Sequence, residues 1–150
     1  MVQSLLQAKL HIVFSTKDRL PFIKPSIEKD LYAYIAGTCK QLGSIAFEIG
    51  GVEDHIHILA SLSKTTAFSE FIGVIKSSSS KWMKSQGQEY NNFFWQKGFG
   101  AFAIEDSSFD NVRKYILNQK EHHKKRDFKQ EYIMILKRYN VPYVEEYLWD

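Results

Sequence analysis

Apolar and polar residues alternate from Lys9 to Ser15, with Leu10, Ile12 and Phe14 on one side and Lys9, His11 and Ser15 on the other, which predicts a first strand. The charged Thr16-Lys17-Asp18-Arg19 is then a turn before Pro21. After Pro25 the period changes: Ile27, Leu31, Tyr34, Ile35 and Leu42 recur at helical spacing, and Gly43 supplies the stop. Ile45, Phe47 and Ile49 alternate again as a second strand. Gly50-Gly51 and Glu53-Asp54 join it by a tight antiparallel turn to a third, His55-Ile56-His57-Ile58-Leu59. Phe68, Phe71, Ile72, Ile75, Ser79 and Trp82 lie at helical spacing, with Lys76, Ser77, Ser80, Lys81 and Lys84 largely off that stripe. Asn91 to Ile104 reads as a last strand, its aromatics interleaved with Gly98 and Gly100. Ser107 or Ser108 can cap a following helix on which Phe109, Val112, Ile116 and His123 fall together. Tyr132, Leu136 and Tyr139 predict a final helix from Phe128 onward, ending before Pro142 in an aromatic tail.

Strand, helix, strand, strand, helix, strand, helix is the order of an α+β, ferredoxin-like or RRM-like antiparallel sheet with helices packed on one face, plus a C-terminal helix carrying Tyr115. The opposite face of that sheet is expected to be open. Residues 1–150, 44% hydrophobic and 15% aromatic, are enough for one domain with a real core. No window approaches the run of about 18 apolar residues that a membrane span needs. The start, MVQSLLQAKLHIVF, lacks the basic region and small-residue cleavage site of a signal peptide, so a cytoplasmic protein is expected. Cys39 is the single cysteine; it allows no internal disulfide and excludes a cysteine-based zinc site. The formal charge of +3 permits a polyanionic partner without requiring one.

Chemistry is concentrated at His55 and His57. Alternation along a strand puts both imidazoles on one face and Ile56 and Ile58 on the other. Two readings stand on these residues alone. The pair is half of a divalent-metal site, with Asp54 orienting one ring, or it is simply the polar content of a wetter face. Tyr115 and Gln119 are i and i+4 neighbours along the border of a helical stripe, the place of a half-buried tyrosine with a wet hydroxyl. His122 and His123 diverge by about 100° on the helix, which favours the strand pair as ligands. Lys17 and Arg19 in their turn, and Lys76, Lys81 and Lys84 with the serines between them, suit phosphate oxygens and equally describe solvated surface. The basic Lys120 to Arg126 link has the same two readings, and Trp95, Phe99 and Phe102 can stack bases or fill a core.

DHIHIL, FWQKGFGAF and VRKYILNQKEHH, in this order, resemble the HUH single-tyrosine transposases of bacterial and archaeal insertion sequences, and the likeness runs from HIVFSTKDR through EYIMILKRYNVPY. Glu53 departs from relatives that often carry proline there, which touches the turn more than the chemistry. The resemblance implies Tyr115 as nucleophile, His55, His57 and Gln119 as ligands of Mg²⁺ or Mn²⁺, and a homodimer that joins the histidines of one subunit to the tyrosine helix of the other. It implies cleavage and rejoining of single-stranded DNA with subterminal hairpins through a 5′-phosphotyrosine. A phenol suits that task because its phosphate ester conserves the bond for rejoining. Two other classes compete on the same residues: an RRM-like single-strand binding module, which needs neither Tyr115 nor Gln119, and a metal-dependent phosphoesterase, which attacks with water.

Overall fold

The computed structural model describes residues 2–150. Four strands, β1 (Lys9–Ser15), β2 (Ala46–Val52), β3 (His55–Ser61) and β4 (Gly100–Ile104), form one sheet in the order β2-β3-β1-β4. Every neighbouring pair is antiparallel. The expected α+β, ferredoxin-like sheet is therefore the architecture observed. Helices α1 (Pro25–Gln41) and α2 (Phe68–Lys84) cross over one face. Pro25 opens α1 at a position where its missing N–H costs nothing, and Ile27, Leu31, Ile35 and Cys39 form its buried stripe. Gly43 ends the segment at φ 80°, which a side chain would oppose. The stripe packs on Ile12, Phe14, Ile56 and Ile58, all wholly buried. Each such side chain contributes about 1.5–3 kcal/mol, so this layer outweighs any single polar contact in the molecule.

The second face is not open. Helices α3 (Phe109–Leu117), α4 (Gln119–His122) and α5 (Phe128–Arg138) follow β4. Val13, Phe102, Phe128, Tyr132, Ile135 and Leu136 make a second apolar cluster. His55 and His57, expected on a wetter face, have no exposure. The helix carrying Tyr115 also breaks where one continuous helix was predicted, because Asn118 takes φ −98° and ψ 22° and starts a new turn at Gln119. Ser108 stands at the head of α3 without a capping hydrogen bond from its side chain.

The last strand is shorter than the predicted Asn91 to Ile104. Only Gly100–Ile104 pairs along β1. Before it the regular ladder is interrupted, although β1 runs on to Ser15: the Gln96 amide bonds the Ser15 carbonyl at 2.9 Å and Thr16 bridges Trp95, while Phe93 and Trp95 turn into the first core. Trp95 and Phe102 are core residues, whereas Phe99 is 41% exposed. This irregular segment is held by Lys76, whose ammonium donates to the carbonyls of Gln96 (2.9 Å), Lys97 (3.2 Å) and Gly98 (2.6 Å). Lys84 does the same at Phe93, 2.6 Å away. Replacing Lys76 by alanine is expected to cost about 1–3 kcal/mol of stability, read as a lower urea midpoint, by leaving those carbonyls without their donor.

Candidate active site

Three elements converge on the histidine face of β3. The first is β1, whose register sets Val13 opposite His57 and Ser15 opposite His55, with His11 next along the same face. The second is α3, which lies against β2 because residue 50 is glycine: a Cβ there would run into the backbone carbonyl of Ile116. That close approach brings Tyr115 and, past the break, Gln119 over the histidines. The third is α5, started by a capping box in which Asp127 accepts from the Gln130 amide (2.9 Å) and Gln130 from that of Asp127 (3.0 Å). Glu131 is the next residue, and its position between Phe128 and Ile135 on the helical stripe turns it inward with no exposure.

One carboxylate oxygen organises the group. Glu131 Oε1 is 3.0 Å from His55 Nε2, 3.1 Å from His57 Nε2 and 3.1 Å from His123 Nε2. Its other oxygen, Oε2, accepts a hydrogen bond from the Tyr115 hydroxyl. Gln119 Oε1 is 3.2 Å from His55 Nε2 and 3.0 Å from His123 Nε2. The outer ring nitrogens are also held: Asp54 accepts from His55 Nδ1 at 2.7 Å, and His57 Nδ1 shares a 2.8 Å hydrogen bond with His11 Nε2. His122 stacks on the Tyr115 ring at 4.6 Å. Each strand imidazole thus has its outer nitrogen fixed from behind and its inner nitrogen aimed at a common centre, the way metal-binding histidines are oriented.

The electrostatics follow from the burial. Burial alone would raise Glu131, but His57 and the hydrogen bonds of His123, His55 and His57 outweigh it and hold the carboxyl well below the usual range. Burial alone would lower His55; its bonds to Asp54 and Glu131 prevail and raise it to about 9. His57 is lowered by burial in spite of Glu131. Burial, then the neighbouring His57, lowers His11 to about 3. Burial and then the charge of Glu131 push the Tyr115 phenol up, so it stays protonated against an ionised carboxylate. A buried cluster of this polarity is costly to maintain, which marks it as chemical rather than packing material.

Ligand atoms of His55, His57 and Glu131 all lie within 4.8 Å of one another. Imidazole nitrogen with carboxylate and amide oxygen is a donor set able to hold a divalent cation, and such a cation fits the residues present. Tyr115, Gln119, His55, His57 and Asp54, singled out in the sequence, are brought together within one chain. Within the chain, the Tyr115 ring lies 5.8 Å from that of His57, centroid to centroid. Lys17 and Arg19 stand at the His55 end of the sheet, where the Thr16 amide bonds the Asp54 carbonyl; Arg19 also donates to the Trp149 carbonyl. Lys81 is exposed on α2, on the opposite face. Lys76 and Lys84, expected among the phosphate contacts, spend their ammonium groups on carbonyls of their own chain, so that expectation is corrected. Glu131 and His11 were missed, and His123, set aside as a rival ligand, lies 3.1 Å from Glu131. The signal for Glu131 was a carboxylate inside the apolar stripe of the last helix.

The model of the family described as "Transposase IS200 like" matches residues 4–119. No curated protein matches the sequence. Among solved structures, the chain is similar to one described as a transposase of Deinococcus radiodurans R1, at 16% identity and a TM-score of 0.62, covering 79% of this chain and 98% of that one. It is also similar to a REP-associated tyrosine transposase bound to a REP hairpin, at 15% identity and a TM-score of 0.61, covering 82% and 73%. At such identities these structures speak for the fold, and the family match carries the assignment: the chain belongs to the IS200-like transposases, enzymes of DNA transposition.

Proposed function

We propose that this transposase cuts and rejoins single-stranded DNA at hairpin-bearing ends, with Tyr115 as the nucleophile and a 5′-phosphotyrosine as the intermediate. The observation that carries the reading is the hydrogen bond from the Tyr115 hydroxyl to Glu131, whose other oxygen touches His55 and His57. His55, His57 and Gln119, with Glu131 beside them, would hold Mg²⁺ or Mn²⁺. When bound, the cation supplies positive charge that polarises the phosphate and offsets the charge developing on its oxygens. Tyr115 Oη bonds to phosphorus as the bond to the 3′ oxygen breaks. The phenol proton leaves along its hydrogen bond to Glu131 Oε2 and ends on the departing 3′ oxygen, which becomes a 3′-OH. Rejoining is the reverse, with the proton returned to Tyr115 as a 3′-OH attacks. The buried walls of Phe128 and Ile116 keep water from competing for the phosphoryl group.

The hairpin in the similar REP-associated structure supports a hairpin-bearing strand as substrate here. Lys17, Arg19 and Lys81 remain for the DNA backbone. A homodimer, with active sites shared between its subunits, would bring two such sites to two strand ends. Residues 1–150 act as one domain in this reading, in the cytoplasm where the DNA is; no helix of the described residues is long and apolar enough to cross a membrane.

Incubation with labelled hairpin-bearing single strands and Mn²⁺, followed by denaturation, is expected to leave DNA covalently attached to the protein. Tight binding with no adduct on any such strand favours the binding-module reading; cut strands with no adduct favour hydrolysis. Asp54→Ala is expected to weaken Mn²⁺ binding about tenfold in a calorimetric titration, because His55 loses the group that orients its ring. Unchanged affinity would remove Asp54 from that role.

A further inference from the structure

A second space lies beside Tyr115 that the transfer chemistry does not use. A cavity of about 320 Å³ opens between the end of β4, α3 and α5, and His11, Glu105, Asn111, Tyr115, Arg138 and Tyr139 line it. Its size is at the lower end for sites that take small organic groups, on the order of 300–1,000 Å³. One wall is aromatic and rigid, since the Tyr139 ring stacks face to face on Phe102 at 4.6 Å with only 4° between the planes. Several of its polar groups keep bonding capacity to spare. His11 is 3% exposed and spends Nε2 on His57, which leaves Nδ1 for the cavity it lines. Among the described residues the Asn111 amide and the Arg138 guanidinium make no side-chain hydrogen bond, although both line the space.

We propose that this cavity receives one unstacked base of the DNA strand, next to the phosphate that Tyr115 attacks, with Asn111 and Arg138 reading the edge of the base. The proposal rests on the function argued above. The ring of Tyr115 is a wall shared by both places: its hydroxyl meets Glu131, and its ring lines the cavity. A strand whose phosphate lies at that hydroxyl has its neighbouring base within reach of the opening. The lining suits a base better than a second phosphate. One guanidinium faces a carboxylate, Glu105, across the same space, whereas an amide, an imidazole nitrogen and aromatic surface match the edge and face of a nucleobase. Reading by an amide and a guanidinium is worth about tenfold or more between matched and mismatched bases.

The test has two arms. In the first, the wild-type protein, Asn111→Ala and Arg138→Met are each given a randomised pool of single strands with Mn²⁺, and the covalently captured strands are sequenced. The wild type is expected to show a base preference beside the joined phosphate, and the variants to flatten it about tenfold at that one position. Identical preferences in all three proteins would overturn the proposal. In the second arm, saturation-transfer NMR follows the four 5′-deoxynucleoside monophosphates and deoxyribose 5-phosphate on metal-free protein, so the result does not depend on catalysis. Contact at base protons, weakened in both variants, is expected. Equal contact by the sugar phosphate, or base contact indifferent to both substitutions, would overturn it. Both positions are exposed, so neither substitution removes core packing. A protein that captures no strand but binds bases in the second arm would count against the tyrosine chemistry and leave the cavity assigned.

Discussion

Changing Tyr115 to phenylalanine is expected to abolish covalent capture of hairpin-bearing single strands, by on the order of a thousandfold or more, while the protein stays folded and still binds Mn²⁺. Phenylalanine keeps the ring that stacks on His122 at 4.6 Å and loses only the oxygen. No other hydroxyl is recorded on Glu131, whose remaining partners are imidazoles. Removing that oxygen leaves Glu131 Oε2 without its donor, so a drop of about 1–3 kcal/mol in stability should accompany the loss. Denaturing gels and a Mn²⁺ titration on the same preparation separate the two effects. An adduct formed as well by the Tyr115→Phe protein would place the nucleophile elsewhere.

A single methyl group is expected to cost nearly as much. In Gly50→Ala the new Cβ meets the Ile116 carbonyl, and that contact is backbone against backbone, so no side chain can turn aside. The alternatives are to lift α3 from β2 or to distort β2 where Gly50 pairs with His57. Either displaces Tyr115 from the histidines by some fraction of an ångström or more. Misplacement of about 1 Å in a reacting group costs on the order of a hundredfold in rate. Adduct formation should fall by about that factor, with the far-ultraviolet circular dichroism of the wild type retained. Full activity in this variant would show that α3 is held to the sheet by something other than the close approach at residue 50.

The two changes test different things. The first removes the reacting atom and leaves its neighbours; the second leaves every functional side chain and moves the helix that carries one of them. Loss in both, with metal binding kept in the first, is what a preassembled group of fixed geometry produces.

Much of this arrangement was legible in the order of residues. Alternation at Leu10, Ile12 and Phe14 and at Ile56 and Ile58 set which faces of β1 and β3 enter the core, and the strand pair His55 and His57 had to share the other face whatever the rest of the chain did. The spacing of Tyr115 and Gln119 survived the break at Asn118, since one helical turn still separates them. Where local pattern failed, a distant partner was responsible. The segment Asn91 to Lys97 has the aromatic content of a strand, but it keeps only an isolated bridge at Trp95, and Phe93 and Trp95 go to the core. Lys76 looked like a solvated cation because its three carbonyl partners lie about twenty residues away on that same irregular segment.

By itself the sequence determined the sheet and its two helices over the apolar face, because side-chain period and helical spacing are local properties of the chain, while the roles of His55, His57, Tyr115 and Gln119 came from the resemblance to a family. Only the tertiary structure decided that the histidine face is roofed by α3 to α5, that Glu131 sits among the imidazoles and accepts a hydrogen bond from Tyr115, and that His11 steadies His57 from an adjacent strand. Those relations join residues 16 to 76 positions apart, and what sets them is register, a missing Cβ at Gly50 and the cap that starts α5.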